Sequence, residues 1–386
     1  MLIGPFDTDR DVLVVAEIGN NHEGSYALAE EMIGLAAKAG AGAVKFQTFR
    51  TEHYVSRRDE ARFRRLKKFE LSFAEFERLS AAARKAGLIF LSTPFDLESA
   101  EFLNTIVPAF KIASGDNTFH PLLERVAGFG KSILLSSGLA DLGRLRQAKT
   151  VIENVWRRTG ATPELAVLHC VASYPVPPEE ANLAAITRLR EEFGGTVGYS
   201  DHTIGIEAAV MAVALGARII EKHFTIDKQH SDFRDHQLSA DPRDMAALVR
   251  RVREAAVMLG SGEKEPQKCE RANEGPMRRS IAVRRDMPEG AVLAWEDLTW
   301  IRPGGGFAPG DERLVVGRTL RRAVQAGDIL TTDMLSEPRQ PVLDGASACV
   351  AQMATPFVAS APRGRRERES TLTRDPRRPR GGDATH

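Results

Sequence analysis

Two histidines each close a short β-like run: His202 in Val197-Gly-Tyr-Ser-Asp-His202-Thr and His223 in Ile219-Ile-Glu-Lys-His223-Phe. About one helical crossover of sequence separates them, which is what joining two adjacent parallel strands requires. Imidazoles delivered to the same sheet edge would form half of a divalent-metal site or an acid–base pair. Other chemistry-bearing residues also close apolar runs: Glu17, Lys45 with Gln47, Thr93, Ser114, Ser136, His169 and Ser200. Lys45 and Lys111, with the hydroxyls of Thr93, Ser114, Ser136 and Ser200, would supply ammonium and hydroxyl donors to a phosphate or carboxylate without any glycine-rich loop. Lys111 lies inside the run Ala109-Phe-Lys-Ile-Ala, and a lysine pointing into a barrel needs an anion. Glu17 and Asp116 are the carboxylates free for proton transfer or substrate orientation. Asp201 lies next to His202 and could serve there, but its side chain could as easily cap a helix beginning near Ile206. No Ser-His-Asp nucleophile or dinucleotide fingerprint is found, and Gly128-Phe-Gly130 is too short to count.

The elements that must position these residues alternate regularly. Eight apolar runs, Val12 to Glu17, Ala43 to Gln47, Ile89 to Thr93, Ala109 to Ser114, Ser132 to Ser136, Leu165 to His169, Val197 to Ser200 and Ile219 to His223, read as strands. Helical patterns lie between and after them, such as Ser25 to Ala39, Phe73 to Ala86 behind the capping box Ser72-x-x-Glu75, Leu142 to Arg158 and Met245 to Leu259. Eight such units in about 250 residues predict a (β/α)₈ TIM barrel over residues 1–260, whose chemistry collects at the carboxyl ends of the strands.

Residues 261–276 are polar and rich in helix breakers, and are expected to form a linker. A small β-rich module is expected over 277–337. There Gly290-Ala-Val-Leu293 followed by Asp297-Leu298 recurs 37 residues later as Gly327-Asp-Ile-Leu330 followed by Met334-Leu335. The stretch 338–386, rich in proline and arginine and without apolar periodicity, is expected to be disordered. Lys+Arg 53 against Asp+Glu 52 leaves a formal charge of +1, so composition offers no general attraction to nucleic acid or an anionic membrane. Three widely spaced cysteines, Cys170, Cys269 and Cys349, argue against a disulfide framework. Met1 to Arg10 lacks the pattern of a signal peptide and no apolar run approaches a membrane span, so we expect a soluble cytoplasmic protein.

Several long motifs in register carry a resemblance. Ala16-Glu-Ile-Gly-Asn-Asn-His-Glu-Gly24, Val44-Lys-Phe-Gln-Thr48, Phe90-Leu-Ser-Thr-Pro-Phe95, Lys111-Ile-Ala-Ser-Gly115, Gly198-Tyr-Ser-Asp-His-Thr203 and Glu221-Lys-His-Phe-Thr225 resemble the bacterial N-acetylneuraminate (sialic acid) synthase family from about residue 10 to 337. The second module is similar to the antifreeze-protein-like (SAF) domain attached to that barrel. The resemblance implies condensation of phosphoenolpyruvate with an aldose such as N-acetylmannosamine or a diacetamido-6-deoxyhexose, giving a nonulosonic acid and phosphate. It implies that His202 and His223 hold Mn²⁺ or Mg²⁺. Glu17, Lys45, Thr93, Lys111, Ser114, Ser136 and Ser200 would line the phosphoenolpyruvate site, and Gln47, Tyr174 and Asp235 would hold the sugar. Arg302 would enter from the SAF-like module of a partner in a domain-swapped homodimer, and Asp116 would activate water. Three positions depart from the family pattern: Asp116 stands in place of a glutamate, Ala172 in place of a polar residue, and Asp227 to His236 in place of Pro-Gly-Pro-Asp-His, with one extra residue. Two other readings are a 3-deoxy-octulosonate 8-phosphate-type synthase, which needs further basic residues and no SAF-like module, and a non-catalytic sugar-binding barrel.

Overall fold

The structure, a computed structural model, describes residues 1–337; the stretch expected to be disordered lies outside the described residues. The chain divides into two compact units, Met1–Lys264 and a second beginning at Glu265. The first contains β1 (Leu13–Gly19), β2 (Ala43–Thr48), β3 (Ile89–Pro94), β4 (Ala109–Ile112), β5 (Ser132–Ser136), β6 (Leu165–Cys170), β7 (Val197–Asp201) and β8 (Ile219–His223). They form one parallel sheet in the order β3-β2-β1-β8-β7-β6-β5-β4. β3 and β4, at the two ends of this order, lie side by side and complete a (β/α)₈ barrel.

The strands are buried on both faces, so their sequences read as near-continuous apolar runs. Alternate side chains nevertheless go to different places. Val14, Val44, Phe46, Phe90, Phe110, Ile133 and Ile220 pack outward under the helices in the main core. Leu13, Val15, Ala43, Ile89, Leu91, Ala109, Leu134, Ala166, Leu168 and Ile219 point inward and pack together. Met1 and Ile3, from a two-residue-strand hairpin (Leu2–Ile3 with Phe6–Asp7), join that inner cluster at the amino-terminal end of the barrel.

The helices begin where capping chemistry predicts. Ser25, Asp141 and Asp241 cap Tyr26–Lys38, Leu142–Thr159 and Pro242–Leu259, and Ser72 with Glu75 forms the expected box on Phe73–Lys85. Among the described residues no helix is long and apolar enough to cross a membrane.

In the second unit the segment expected as a linker is exposed and contains a short helix, Arg271–Met277. Two strands follow, β9 (Ser280–Val283) and β10 (Leu298–Ile301), paired antiparallel. The internal repeat is a pseudo-twofold axis. Met287 and Val324, 37 residues apart, exchange backbone hydrogen bonds at 2.9 Å with each other. Around them the bonds come in mates: Gly290 N to Leu320 O with Gly327 N to Val283 O, and Leu293 N to Arg318 O with Leu330 N to Ile281 O. Leu293, Leu298, Leu330 and Leu335, the apolar positions of both copies, share one core.

Gly198 sits at an inward position of β7 where a Cβ would lie 2.6 Å from the carbonyl oxygen of Ile219 and 2.9 Å from Leu168 Cγ. Backbone cannot yield there, so Gly198→Ala should cost about 1–3 kcal/mol by overpacking. Urea unfolding checks this; an unchanged midpoint would mean the barrel interior has slack.

Candidate active site

The inward series that builds the apolar plug continues up each strand and changes character. Above Leu13 and Val15 stands Glu17; above Ala43, Lys45 and Gln47; above Leu91, Thr93; above Ala109, Lys111. The same alternation delivers Ser136, Cys170, Ser200, Glu221 and, at the strand ends, His202 and His223. These side chains line one cavity of about 1430 Å³ at the carboxyl-terminal mouth of the barrel, larger than the range of roughly 300–1,000 Å³ common for small-molecule sites.

Its floor is a set of two lysines and two carboxylates, all at most 5 % exposed. Lys45 Nζ lies 2.7 Å from Glu17 Oε2 and 3.8 Å from Glu221 Oε1, while Lys111 Nζ lies 3.6 Å from that same Glu221 oxygen. Lys45 also donates to Thr93 Oγ1 at 3.1 Å and Ser200 donates to Glu221 Oε1 at 2.9 Å. Gln47 Nε2 donates to Glu17 Oε1 at 3.2 Å, and its own carbonyl accepts from Asn20 at 2.8 Å. Burial pushes the Glu17 carboxyl up to about 7 against the opposing pull of Lys45. Burial would also raise Glu221, but Lys111 and Lys45 outweigh it and hold that carboxyl below the usual range. Lys111 is lowered by burial, whereas on Lys45 the effect of burial is overcome by Glu17 and Glu221. Ser114 and Ser136 share a hydrogen bond of 2.9 Å beside this floor.

Above it the rings of His202 and His223 have centroids 5.4 Å apart. His202 Nδ1 is 2.9 Å from the Val171 carbonyl oxygen and 3.7 Å from Cys170 Sγ. With Nδ1 committed to that carbonyl, Nε2 is the nitrogen left for a ligand. His223 is buried with no hydrogen-bond partner for Nδ1, and burial, with His202 close by, holds it well below its ordinary value, so the ring is neutral at neutral pH. Burial lowers His202, but Cys170 and the Val171 carbonyl outweigh it and hold that ring above its ordinary value; once deprotonated, the two imidazoles fit an open divalent site. Among the described residues no group of three or more His, Cys, Asp or Glu could enclose a metal ion, so the remaining positions of such a site would fall to water and substrate.

The rim carries Asp116, Tyr174 and Asp235. Asp116 Oδ2 is buried without a hydrogen-bond partner among the described residues, and burial raises its carboxyl to about 6 against the pull of Lys111. Tyr174 packs against His202 with ring centroids 4.2 Å apart and planes tilted by 32°, and the Arg234 guanidinium lies 4.9 Å over the tyrosine ring. Burial raises Asp235, whose Oδ1 is 3.4 Å from Arg234 Nε.

The structure thus brings together Glu17, Lys45, Gln47, Thr93, Lys111, Ser114, Asp116, Ser136, Tyr174, Ser200, His202, His223 and Asp235. Arg302 follows β10 in the second unit and is exposed. Two readings need correction. His169 does not face the cavity; its Nε2 meets the Ala181 carbonyl oxygen at 2.9 Å and its ring stacks on Tyr199. β6 runs one residue further than expected, and the inward residue at its end is Cys170. Asp201 caps no helix: it is fully buried, accepts from Thr203 and pairs with Lys222 at 3.0 Å, and the helix Glu207–Ala214 starts without a side-chain cap. Glu221 and Cys170 are the site residues that end-of-run reasoning misses. Counting every second residue from the apolar plug finds both.

A parallel barrel with lysines, hydroxyls and imidazoles gathered at the carboxyl ends of its strands belongs to the class of (β/α)₈ barrels, and its polar groups stand on the face where that class places its chemistry. More narrowly, the chain belongs to the NeuB family, which it matches over residues 32–264, with a SAF domain over residues 278–336. It is similar to the N,N'-diacetyllegionaminic acid synthase of Legionella pneumophila, at 38 % identity over 85 % of this chain and 96 % of that protein. An uncharacterized protein of Methanocaldococcus jannaschii is 43 % identical over 83 % of this chain and 94 % of its own length. Among solved structures, the N-acetylneuraminic acid synthetase of Leptospira borgpetersenii in complex with citrate superposes with a TM-score of 0.65 at 35 % identity, covering 71 % of this chain and 94 % of that one.

Removing one carboxylate from the floor should expose how the charges are balanced. Glu221→Gln leaves two buried ammonium groups facing one carboxylate and should cost about 3–5 kcal/mol of stability. Added inorganic phosphate should recover more of the melting temperature in the variant than in the parent. Equal responses to phosphate would mean that the lysines do not face the anion-binding space.

Proposed function

We propose that the protein condenses phosphoenolpyruvate with an N-acetylated aldose, N-acetylmannosamine or a related 2,4-diacetamido-6-deoxyhexose, to give a nonulosonic acid and phosphate. The observation that carries this reading is the buried floor of Lys45, Lys111 and four hydroxyls beneath two imidazoles, in a chain of the NeuB family. The name of the Legionella relative supports a sialic-type product and brings the diacetamido sugar into consideration. The attached SAF domain speaks against the octulosonate-type alternative, and retention of both lysines, both histidines and Glu17 speaks against a non-catalytic barrel.

In this reading Lys45, Lys111, Thr93, Ser114, Ser136 and Ser200 bind the phosphate and carboxylate of phosphoenolpyruvate. Gln47, Tyr174 and Asp235 hold the open-chain sugar above it, so that C3 of phosphoenolpyruvate faces the aldehyde carbon. A divalent ion, Mn²⁺ or Mg²⁺, held by His202 and His223 would supply Lewis acidity toward the aldehyde oxygen. The new bond joins C3 to the aldehyde carbon, and the aldehyde oxygen takes up a proton, for which Glu17, at about 7, is poised. Water adds at C2 as Asp116 accepts its first proton; the hydroxyl so formed then becomes the C2 carbonyl as the bond from C2 to the phosphate oxygen breaks, and its remaining proton leaves with the phosphate. Holding both substrates in line supplies part of the barrier reduction, up to roughly 7–11 kcal/mol for well-oriented reactants. Arg302 is proposed to enter the barrel mouth of a partner copy in a domain-swapped homodimer, and the reaction is placed in the cytoplasm with its glycolytic co-substrate.

Phosphate release from phosphoenolpyruvate with a panel of N-acetylated hexosamines tests the reading. Turnover is expected with at least one sugar, lost with chelator, restored by Mn²⁺ or Mg²⁺, and reduced about 10²-fold or more in His223→Ala. Release with no sugar, or release indifferent to chelator, would overturn it. The pH profile tests Asp116 separately. A base must be ionised, so protonation through about 6 should make the rate fall about tenfold per pH unit below that value. Asp116→Asn should lower kcat by about 10²–10⁴, and Asp116→Glu should retain activity within about tenfold.

A further inference from the structure

The segment after β8 leaves the barrel, crosses the cavity rim and returns. Its two ends are zipped to the barrel by backbone bonds: Phe224 N to Glu17 O and Ala240 N to His223 O, each 2.7 Å, with Thr225 N to Ala240 O at 3.0 Å. Asn21 secures the same ends, donating to Phe224 O at 2.8 Å and to Ser239 Oγ at 3.0 Å. Between these ends lie Arg234 and Asp235, which line the cavity. The middle of the segment is tied down by one oxygen of the β1 loop. Glu23 Oε1 accepts from Ser231 Oγ and lies 3.1 Å from His236 Nε2. His236 is fully buried, and its Nδ1 meets Thr225 Oγ1 at 2.6 Å, so the ring bridges Glu23 to the segment's own root.

Two observations single out Glu23. Its backbone is left-handed, with φ at 48°, a region that asparagine occupies more readily than glutamate. A glutamate in that conformation is best explained by the reach of its side chain. The group it restrains is also incomplete: among the described residues Asp235 Oδ1 is buried in the cavity wall without a hydrogen-bond partner, in the ion-pair range of Arg234 alone.

We infer that Glu23 is a positioning residue that clamps the 224–240 segment through His236 and Ser231 and so holds the Asp235 carboxylate at the acceptor end of the cavity. The inference rests on the function proposed above. Glu23 also lines the cavity, but its Oε1 is engaged by Ser231 and His236, and its assigned role is to set where Asp235 stands. Burial would raise the Glu23 carboxyl, but the hydrogen bonds from Ser231 and His236 outweigh it, so the clamp is ionised at neutral pH.

Glu23→Asn separates this role from a merely structural one, because asparagine suits the backbone but cannot reach His236. The melting temperature should fall by no more than about a few degrees, the eased backbone offsetting part of the lost hydrogen bonds, while the acceptor KM rises about tenfold or more and the KM for phosphoenolpyruvate stays within about twofold. In an Asp235→Asn background the same change should alter the acceptor KM by less than about threefold, since the clamp then has no carboxylate to place. Amide hydrogen exchange of residues 226–238 should accelerate in Glu23→Asn with the rest of the barrel unaffected. Unchanged acceptor KM, or an equal effect in both backgrounds, overturns the inference. Should the parent protein turn over none of the sugars, the proposed function falls, and the exchange measurement still decides against the clamp if the segment's amides are as protected in the variant as in the parent.

Discussion

Two ammonium groups can be buried side by side inside a barrel only if carboxylates alternate with them, and Glu17 and Glu221 do so here. The rest of the site follows from that requirement. Four different strands must bring charged inward residues together, Glu17 as the third inward residue of β1 and Lys45, Lys111 and Glu221 as the second of β2, β4 and β8, and the parallel register sets Glu17 beside Lys45 on one side and Glu221 beside Val15 on the other. Hydroxyls from neighbouring strands complete the hydrogen bonding that the charges demand. Beneath, the inner apolar layer keeps water from the one side where it would otherwise enter. The lysines are therefore paired by the protein's own carboxylates, and under the proposed function an incoming anion would compete with those carboxylates for them.

Much of this was legible from residue types. Strand starts agree with the predicted runs to within one residue, because parallel strands buried on both faces announce themselves as β-branched runs between helical patterns. The cavity residues were legible for the same reason: each polar side chain closing such a run had few places to go. What misled was the choice of the last residue in the run rather than the residue in phase. His169 and Cys170 are neighbours, yet one serves the outer packing and the other the cavity. Glu221 was hidden by the charged triplet Glu221-Lys222-His223, in which the middle residue faces outward to Asp201 and the outer two face in. The tie between Glu23 and His236 spans 213 residues and involves a rim loop whose sequence carries no period.

The second unit shows the opposite balance. Its repeat was visible as a 37-residue offset of glycines and leucines, and the structure converts each repeated residue into a symmetry mate. Gly290 and Gly327, at φ of 81° and 93°, turn the chain at equivalent points and give their N–H groups to equivalent carbonyls. A fold assembled from two interlocked copies of one short pattern builds a core from few residues, consistent with a module of about 60 residues holding ten buried apolar side chains together.

The apolar plug formed by Met1, Ile3 and the lower inward residues makes the barrel a cul-de-sac. A molecule resting on the lysine floor and a second one held at the rim must use the same doorway, and the upper one covers the lower. Under the proposed function, traffic in such a chamber would be last in, first out: the anion would go down before the sugar, and the phosphate left beneath a long, newly joined product would wait until that product had gone.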